Sequence, residues 1–203
     1  MPIQKAETTL GLLPSIAVLA FDDFSQGKDQ GYFADGISED LLNILAKTDG
    51  LKVTSRTSSF SFKGKNMPVS EIGKALNVAN VLEGSIRKAG NILRINAQLI
   101  KTTNDEHIWS ESYKRTLTID NIFDIQDEIS RSIAKELKVK LNVTASGQTK
   151  QPSSLLAYEL YLHARENMLQ RQPATLEKAI NDFNKAIDLD PTFAAAYSGL
   201  ADA

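Results

Sequence analysis

The sequence has no cysteine, two histidines and one tryptophan in 203 residues. Without cysteine the chain has no disulfides, no thiolate metal ligands and no cysteine nucleophile. The two histidines, His107 and His163, lie far apart in the sequence, so a histidine-based zinc site would be short of ligands. These absences exclude several classes of catalytic and metal site, and they leave the redox compartment open.

Long apolar runs and a strong net charge are also missing. No apolar run approaches the roughly 18 residues needed to cross a bilayer, and the stretch "MPIQKAETTLGLLPS" lacks the apolar core of a signal peptide. A net charge of −2 gives no basic footprint, so no nucleic-acid partner is expected for this region. An apolar fraction of 42% and a charged fraction of 24% are typical of a soluble globular protein, and 203 residues are enough for one domain with an appendage.

Hydrophobic periodicity predicts a mixed α/β domain over residues 14–142. The short apolar run "SIAVLAF" is typical of a buried strand. The predicted elements, in order, are strand Ser15–Phe21, helix Phe33–Lys47, strand Leu51–Ser55, a helix opened by Pro68, strands Ala79–Lys88, Ile92–Lys101 and His107–Thr116, and helix Asn121–Asn142. The order β-α-β-α-β-β-β-α makes the first three strands parallel and adds two antiparallel ones. The fold class is therefore α/β, with a mixed five-stranded sheet covered by helices.

Residues 143–154, "VTASGQTKQPSS", are small and polar and predict a linker. The segment 155–203 is predicted to be helical, and its pattern is that of tetratricopeptide repeats. In "LEKAINDFNKAIDLDP", Ala179, Phe183, Ala186 and Pro191 stand at the offsets of the second helix of such a repeat. Tyr197 and Leu200 then take the positions of Trp and Leu in the next first helix. The sequence therefore predicts one loose repeat and a truncated second one, with an unrelated helical hairpin as the alternative.

The repeat pattern also predicts partners. Stacked repeats present a concave surface, so a protein partner is expected on this segment. Because the chain stops at Ala203 inside a repeat, we expect the natural protein to continue, and we expect the uncovered C-terminal helices to self-associate.

An acidic stretch, "DDFSQGKDQGYFADGISEDLL", follows the first predicted strand. Its six carboxylates could bind a metal ion or perform acid/base chemistry; they are Asp22, Asp23, Asp29, Asp35, Glu39 and Asp40. However, no neighbouring Lys or His completes an acid/base pair, and the spacing is not that of a calcium loop. Acidic side chains also favour the first turns of a helix. We therefore predict that this loop starts a helix.

The stretch "SRTSSFSFKGK" is the better candidate for a ligand site, because it follows the carboxyl end of a parallel strand. Its cations and hydroxyls could hold a small anion; the residues are Arg56, Ser58, Ser59, Lys63 and Lys65. The alternative is structural: the hydroxyls bond loop backbone groups while Phe60 and Phe62 pin the loop to the core. The stretch is not a Walker loop, since Gly-Lys-Ser/Thr is missing.

His107, Trp109, Glu111 and Tyr113 alternate along the last predicted strand. Histidine, glutamate and tyrosine together could perform acid/base chemistry. A strand face packed under a helix accounts for Trp109 and Tyr113 more simply. No catalytic residue, metal or cofactor is therefore assigned, and this region is expected not to be an enzyme by itself.

Seven blocks in this order carry a family resemblance: "PSIAVLAF", "YFADGISED", "RTSSF", "FKGK", "VLEGSIR", "AQLI" and "WSESY". They resemble the TolB-like N-terminal domain of bacterial proteins that continue into tetratricopeptide repeats. The resemblance covers Pro14–Leu141, and the repeats extend it to the C-terminus. Ala20 stands where the family usually has proline, and Phe62 where tyrosine is common.

The resemblance implies a fold like the N-terminal domain of TolB, related to the anticodon-binding α/β architecture, without the TolB propeller. It implies a non-catalytic sensory or scaffolding role in a larger bacterial signalling protein. In the family, the output domain upstream is commonly a class III nucleotide cyclase or a CadC-like winged-helix domain. A membrane span before Met1 would place this region in the periplasm, and its absence in the cytoplasm, so the location is left open.

Overall fold

The computed structural model describes residues 13–140 and 151–203. Its strands are β1 (Ser15–Val18), β2 (Asp22–Asp23), β3 (Lys52–Val53), β4 (Asn80–Ala89), β5 (Ile92–Lys101) and β6 (Glu106–Thr116). Its helices are α1 (Gly31–Ala46), α2 (Arg56–Phe60), α3 (Val69–Leu76), α4 (Ile119–Glu136), α5 (Leu155–Leu169), α6 (Pro173–Leu189) and α7 (Ala194–Asp202). None of the helices in these two ranges has the length and apolarity to span a membrane.

The strands form one mixed sheet in the order β3-β1-β4-β5-β6, with β2 paired to β4 beside β1. β1 is parallel to β3 and β4, whereas β4, β5 and β6 are joined by antiparallel hairpins. The predicted α/β class and mixed sheet are confirmed, but the sheet has six strands instead of five. The additional strand, β2, lies in the acidic stretch and pairs Asp22 with Ser85 of β4.

One face of the sheet carries the main core. The alternating residues Leu93, Ile95 and Leu99 of β5 are fully buried, and they share a single apolar cluster with Ile37 of α1 and Ile129 of α4. The opposite face has a smaller cluster under α3. Helices therefore cover both faces of the parallel part of the sheet, and much of the outer face of β4–β6 stays exposed.

Two predicted boundaries were wrong. The long helix was predicted to reach Asn142, but α4 ends at Glu136 and Lys138 has a left-handed backbone with φ of 55°. Such a conformation cannot continue a right-handed helix; Asn142 itself lies outside the described residues. The stretch after β3 was predicted to be a loop, yet it contains the short helix α2, started by Ser55, whose Oγ accepts a hydrogen bond from the Ser58 N–H.

The C-terminal segment is helical, as the periodicity predicted. Ala179, Phe183 and Ala186 of α6 are fully buried and belong to the same apolar cluster as Ala157 and Ala164 of α5. Small side chains let helices approach closely, so the alanines bring α5 and α6 together. The predicted boundaries of the α/β domain, the linker 143–154 and the repeat segment stay predictions.

Candidate functional site

Helix α5, the first helix of the C-terminal segment, packs directly on α1 of the α/β domain. Gly36 of α1 makes this possible, because a Cβ at that position would lie 2.5 Å from Cδ2 of Leu162. Beside it the rings of Tyr32 and His163 stack, with centroids 3.5 Å apart and 22° between the planes. Helix α5 therefore shares the core of the α/β domain, and we call this contact the α1–α5 junction.

A carboxylate lies at the centre of the α1–α5 junction. The hydroxyl of Tyr158 donates to Asp40 Oδ2 at 2.5 Å, and Nε2 of Gln126 from α4 donates to the same oxygen at 3.2 Å. Tyr158 and Gln126 are almost completely buried. Burial raises the pKa of Asp40, and it also raises the pKa of Tyr158. Residues of α1, α4 and α5 thus meet at one carboxylate oxygen of Asp40, and burial disfavours the ionised form of that carboxylate.

A network of ion pairs surrounds that centre. Glu39 accepts from two arginines: its Oε1 from Arg165 of α5, and its Oε2 from Nε of Arg56 at 2.6 Å. A second pair, Lys88 with Glu159 at 2.7 Å, joins β4 to α5. These side chains are partly shielded from solvent, so the pairs are screened less than pairs on an open surface.

Of the residues predicted to form an anion site, only Arg56 belongs to this network. Arg56 is paired with Glu39, and Nζ of Lys63 lies 2.7 Å from both carboxylate oxygens of Asp35. The Lys65 ammonium lies over the Phe62 ring, 5.3 Å from its centroid. Two of the three predicted cations are therefore already neutralised.

The two predicted hydroxyls differ in their surroundings. Ser58 is exposed in the middle of α2, where its Oγ accepts from the Ser55 hydroxyl at 3.1 Å. Ser59 is fully buried, and its Oγ has no hydrogen-bond partner among the described residues. Anion binding by this stretch remains a prediction.

The acidic stretch does start a helix, but its acids act differently from the prediction. The first turn of α1 contains no acidic residue, and Glu39 and Asp40 lie further along, where they contact α4 and α5. Asp23 instead accepts the N–H groups of Ser25 and Gln30 before the helix, at 2.8 and 2.7 Å. Partial burial acts to raise the pKa of Asp23, but these hydrogen bonds outweigh it and lower the pKa. No group of three or more metal-ligating side chains occurs within residues 13–140 and 151–203.

A β-bulge rearranges the predicted stripe on β6. Leu99 pairs with Trp109, and the next residue, Ile100, pairs with His107. One residue of β6, Ile108, is therefore left without a partner on β5. Because successive residues of a strand point to opposite faces, His107 lies on the other face from Trp109. Tyr113 is buried, and its hydroxyl donates to Glu111 at 2.9 Å. The predicted alternation therefore holds from Trp109 to Tyr113 and fails at His107.

The repeat residues surround Phe183. Its ring centroid lies 6.0 Å from that of Tyr161 on α5, and a Cβ at Gly199 of α7 would lie 2.5 Å from the ring. After the end of α6, the carbonyl of Pro191 accepts from the hydroxyl of Tyr197 at 3.2 Å. Tyr197 is 47% exposed, and Leu200 packs partly against the core.

Asp190, at the end of α6, is a structural carboxylate that the sequence analysis did not single out. It is buried, and it accepts from the N–H and hydroxyl of Ser153 at 2.7 and 3.0 Å, and from those of Thr192 at 3.0 and 2.7 Å. These bonds hold the pKa of Asp190 well below its usual range. The side chain ties the start of α5 to the connection between α6 and α7.

We expect the stabilisation from Asp190 to disappear in acid. A carboxylate with a lowered folded-state pKa stabilises the fold above its unfolded value of about 3.9, and this stabilisation is lost as pH falls towards the folded value. Asp190→Asn should lower the free energy of unfolding at pH 7 by about 1–3 kcal/mol. It should also flatten the loss of stability below pH 4 in urea unfolding curves. Asp188→Asn, on the same helix, is the control; if both variants have the same pH profile as the wild type, Asp190 has no such role.

Comparison with known proteins connects these features to relatives. Residues 175–203 match the TPR repeat family. Over 192 residues, 93% of the chain, the sequence is 42% identical to "Putative adenylate cyclase 3" of Rhizobium meliloti (strain 1021). The chain spans 32% of the length of that relative.

Three solved structures are similar at 17% identity. TolB from Acinetobacter baumannii has a TM-score of 0.43, with 61% of this chain and 28% of that chain covered. The LpoB C-terminal domain from Salmonella enterica also has a TM-score of 0.43, with 54% and 87% covered. Lipoprotein GNA1162 from Neisseria meningitidis has a TM-score of 0.45, with 59% and 96% covered.

The repeat match, together with a mixed α/β domain ahead of the repeat helices, confirms the resemblance predicted from the sequence. The chain is thus similar to the TolB-like N-terminal domain, and its residues 175–203 match the tetratricopeptide-repeat family.

Proposed function

We propose that this chain is a non-catalytic sensory and protein-interaction region of a larger bacterial signalling protein. The observation that carries the proposal is the match of residues 175–203 to the TPR repeat family, because such repeats bind other proteins on their extended surfaces. The α1–α5 junction supports it further. A partner held by the repeats would act on a helix that is buried in the core of the α/β domain, so binding and domain geometry are mechanically linked.

Exposed apolar side chains are concentrated on the repeat helices. Nine large apolar residues of the described chain are exposed, and five of them lie on α5–α7: Leu156, Leu169, Ile180, Leu189 and Tyr197. Apolar groups that remain in water favour association with another surface. The repeat segment is therefore the part of the chain best suited to bind a protein.

A second proposal concerns the longer protein. The 42% identity to a relative named as an adenylate cyclase favours a nucleotide cyclase whose activity this region regulates. A CadC-like transcriptional regulator is the alternative output. In either case the α1–α5 junction would pass the state of the repeats to the α/β domain.

The interaction proposal can be tested by site-specific photo-crosslinking of the natural, longer protein in its own cells. A photoreactive residue at position 180, 189 or 197 should give adducts with another protein. The same residue at position 52 or 71, on exposed sites of the α/β domain, should not. Adducts of equal yield from both sets, or from neither, would contradict a partner surface on the repeats.

The catalytic part of the proposal has its own test. The purified chain is expected to form no cyclic nucleotide from ATP or GTP. If the longer protein is a cyclase, Arg165→Ala should change its turnover several-fold, since Arg165 links α5 to Glu39 of α1. Lys185→Ala, a change of the same charge on α6, should not. Turnover by the chain alone would overturn the proposal.

A further inference from the structure

Three cations stand side by side on the exposed outer face of the sheet. Arg87 of β4 faces Arg94 of β5, which faces Lys114 of β6, and all three side chains are exposed. Neighbouring strands lie about 4.8 Å apart, so three positive charges start within about 10 Å of one another. We call these residues the cationic row. The net charge of −2 for the whole chain hides this local concentration.

The cationic row is unfavourable for the isolated protein. Like charges directly opposite each other on adjacent strands destabilise a sheet. Within residues 13–140 and 151–203, no carboxylate forms an ion pair with any of the three. The cations one residue further along β4 and β6 lie on the opposite face of the sheet, and there Lys88 pairs with Glu159 and Arg115 pairs with Glu128. The cations on that face are thus paired, whereas the cationic row is not.

An exposed aromatic ring continues the row. Phe24 directly follows β2, and the register of β2 with β4 places it next to Arg87. The Phe24 N–H donates to the Ile86 carbonyl, and Nε of Arg87 donates to the Phe24 carbonyl at 3.1 Å. Phe24 is 52% exposed and borders two depressions of about 590 and 630 Å³. The half-exposed ring of Phe24, next to Arg87, can therefore stack with an aromatic ring of a ligand.

The neighbouring rows are not cationic. One step along the sheet, Ser85, Asn96 and Ser112 lie opposite each other, and Nδ2 of Asn96 donates to Ser85 Oγ at 3.2 Å. Asp22 borders this row on β2. The positive charge is therefore confined to one line across the sheet; the row beside it is uncharged on β4, β5 and β6, and Asp22 adds one carboxylate at its edge.

We propose that the cationic row and Phe24 bind a ligand that carries two or more linked phosphates and an aromatic ring, which is the chemistry of a nucleoside di- or triphosphate. Arginine side chains bind phosphate oxygens through paired N–H groups, and lysine adds a point charge. An aromatic side chain can stack on any nucleobase. Phosphates bound along the row would replace the repulsion between its cations by attraction. This proposal does not depend on the proposed function.

The test is calorimetric titration of the purified chain with ATP and, separately, with inorganic tripolyphosphate. Arg94→Gln/Lys114→Gln should weaken ATP binding at least ten-fold. The matched control, Lys74→Gln/Lys178→Gln, makes the same charge change on exposed helix positions and should alter binding by less than two-fold. Phe24→Ala should weaken the binding of ATP and leave that of tripolyphosphate unchanged, because only ATP has a ring to stack.

Other results would overturn the proposal. These are no binding of either compound by the wild type, or equal weakening in the test and control variants. Sedimentation with vesicles containing phosphatidylglycerol forms a separate arm. Binding to vesicles without binding of ATP or tripolyphosphate would assign the row to lipid headgroups instead.

Thermal unfolding adds a readout that does not depend on ligand affinity. Without ligand, Arg94→Gln/Lys114→Gln should unfold at a higher temperature than the wild type, because it removes the repulsion. Tripolyphosphate should raise the unfolding temperature of the wild type and not that of the variant. A variant that is less stable than the wild type without ligand would show that the cations do not repel, and it would contradict the argument.

Discussion

Phe183→Ala should lower the free energy of unfolding of the repeat helices by about 3–5 kcal/mol. Phe183 is fully buried, and its ring lies between Tyr161 of α5 and Gly199 of α7. Truncation would remove the ring from three helices at once and leave a cavity that short helices cannot close without separating. A loss of this size is a large part of the stability of a domain this small.

The single tryptophan makes the measurement specific. Trp109 lies on β6, so its fluorescence reports the α/β domain, while circular dichroism reports all the helices. In urea, Phe183→Ala should lose ellipticity at a lower concentration than it loses the Trp109 signal. Ile180→Ala, at a position of α6 that is 39% exposed, is the control and should change stability far less. If both signals shift together in Phe183→Ala, the repeats and the α/β domain unfold as one unit.

The parts of the fold that were predictable are those whose pattern is local and long. From Leu93 to Leu99, buried apolar residues of β5 alternate with more exposed polar ones, and the sequence shows the same alternation. The α6 residues Ala179, Phe183 and Ala186 recur at helical spacing on one buried face. In both cases a repeated apolar period specifies the element, because burial of one face decides its stability.

Other parts of the fold were not predictable because they have no period. Strand β2 has two residues, both aspartates, and is held by pairing with β4. The bulge opposite Leu99 and Ile100 changes the face of His107 without any mark in the sequence of β6. Short elements of this kind depend on neighbours that come later in the chain.

The candidate site was the least predictable part. The Tyr158–Asp40 hydrogen bond joins residues 118 positions apart, and the Arg165–Glu39 pair spans 126 positions. Glu39 and Asp40 fit a helix-start pattern, so their contacts with other helices leave no local signal. Only the packing of α5 on α1 brings these groups together.

The Tyr158–Asp40 hydrogen bond leads to the second large effect. Tyr158→Ala should lower the free energy of unfolding by about 3–5 kcal/mol, because it empties a buried site between three helices. Tyr158→Phe keeps the ring and removes only the hydroxyl that donates to Asp40. Its cost at pH 7 should be smaller, about 1–3 kcal/mol, as expected for a buried acceptor that loses its donor.

The cost of Tyr158→Phe should also depend on pH. Burial raises the pKa of Asp40, so the stability linked to its protonated form is present at low pH and is lost as pH rises through the folded pKa. The Tyr158 hydroxyl stabilises the ionised form, so its removal costs more once Asp40 has lost its proton. The difference in unfolding free energy between wild type and Tyr158→Phe should therefore grow from pH 4 to pH 7.

A double-mutant cycle identifies the group responsible. In an Asp40→Asn background no carboxylate titrates at this place, so the cost of Tyr158→Phe should be the same at pH 4 and at pH 7. Tyr197→Phe removes a hydroxyl from an exposed ring of the repeats, and its cost should be under about 0.5 kcal/mol at both values. A pH-dependent cost that persists with Asp40→Asn would show that a group other than Asp40 is responsible. If the pH dependence of the Tyr158→Phe cost disappears with Asp40→Asn, the strength of the Tyr158–Asp40 hydrogen bond depends on the charge of Asp40. The packing of α5 on α1 is then stabilised to a degree that depends on the protonation of Asp40.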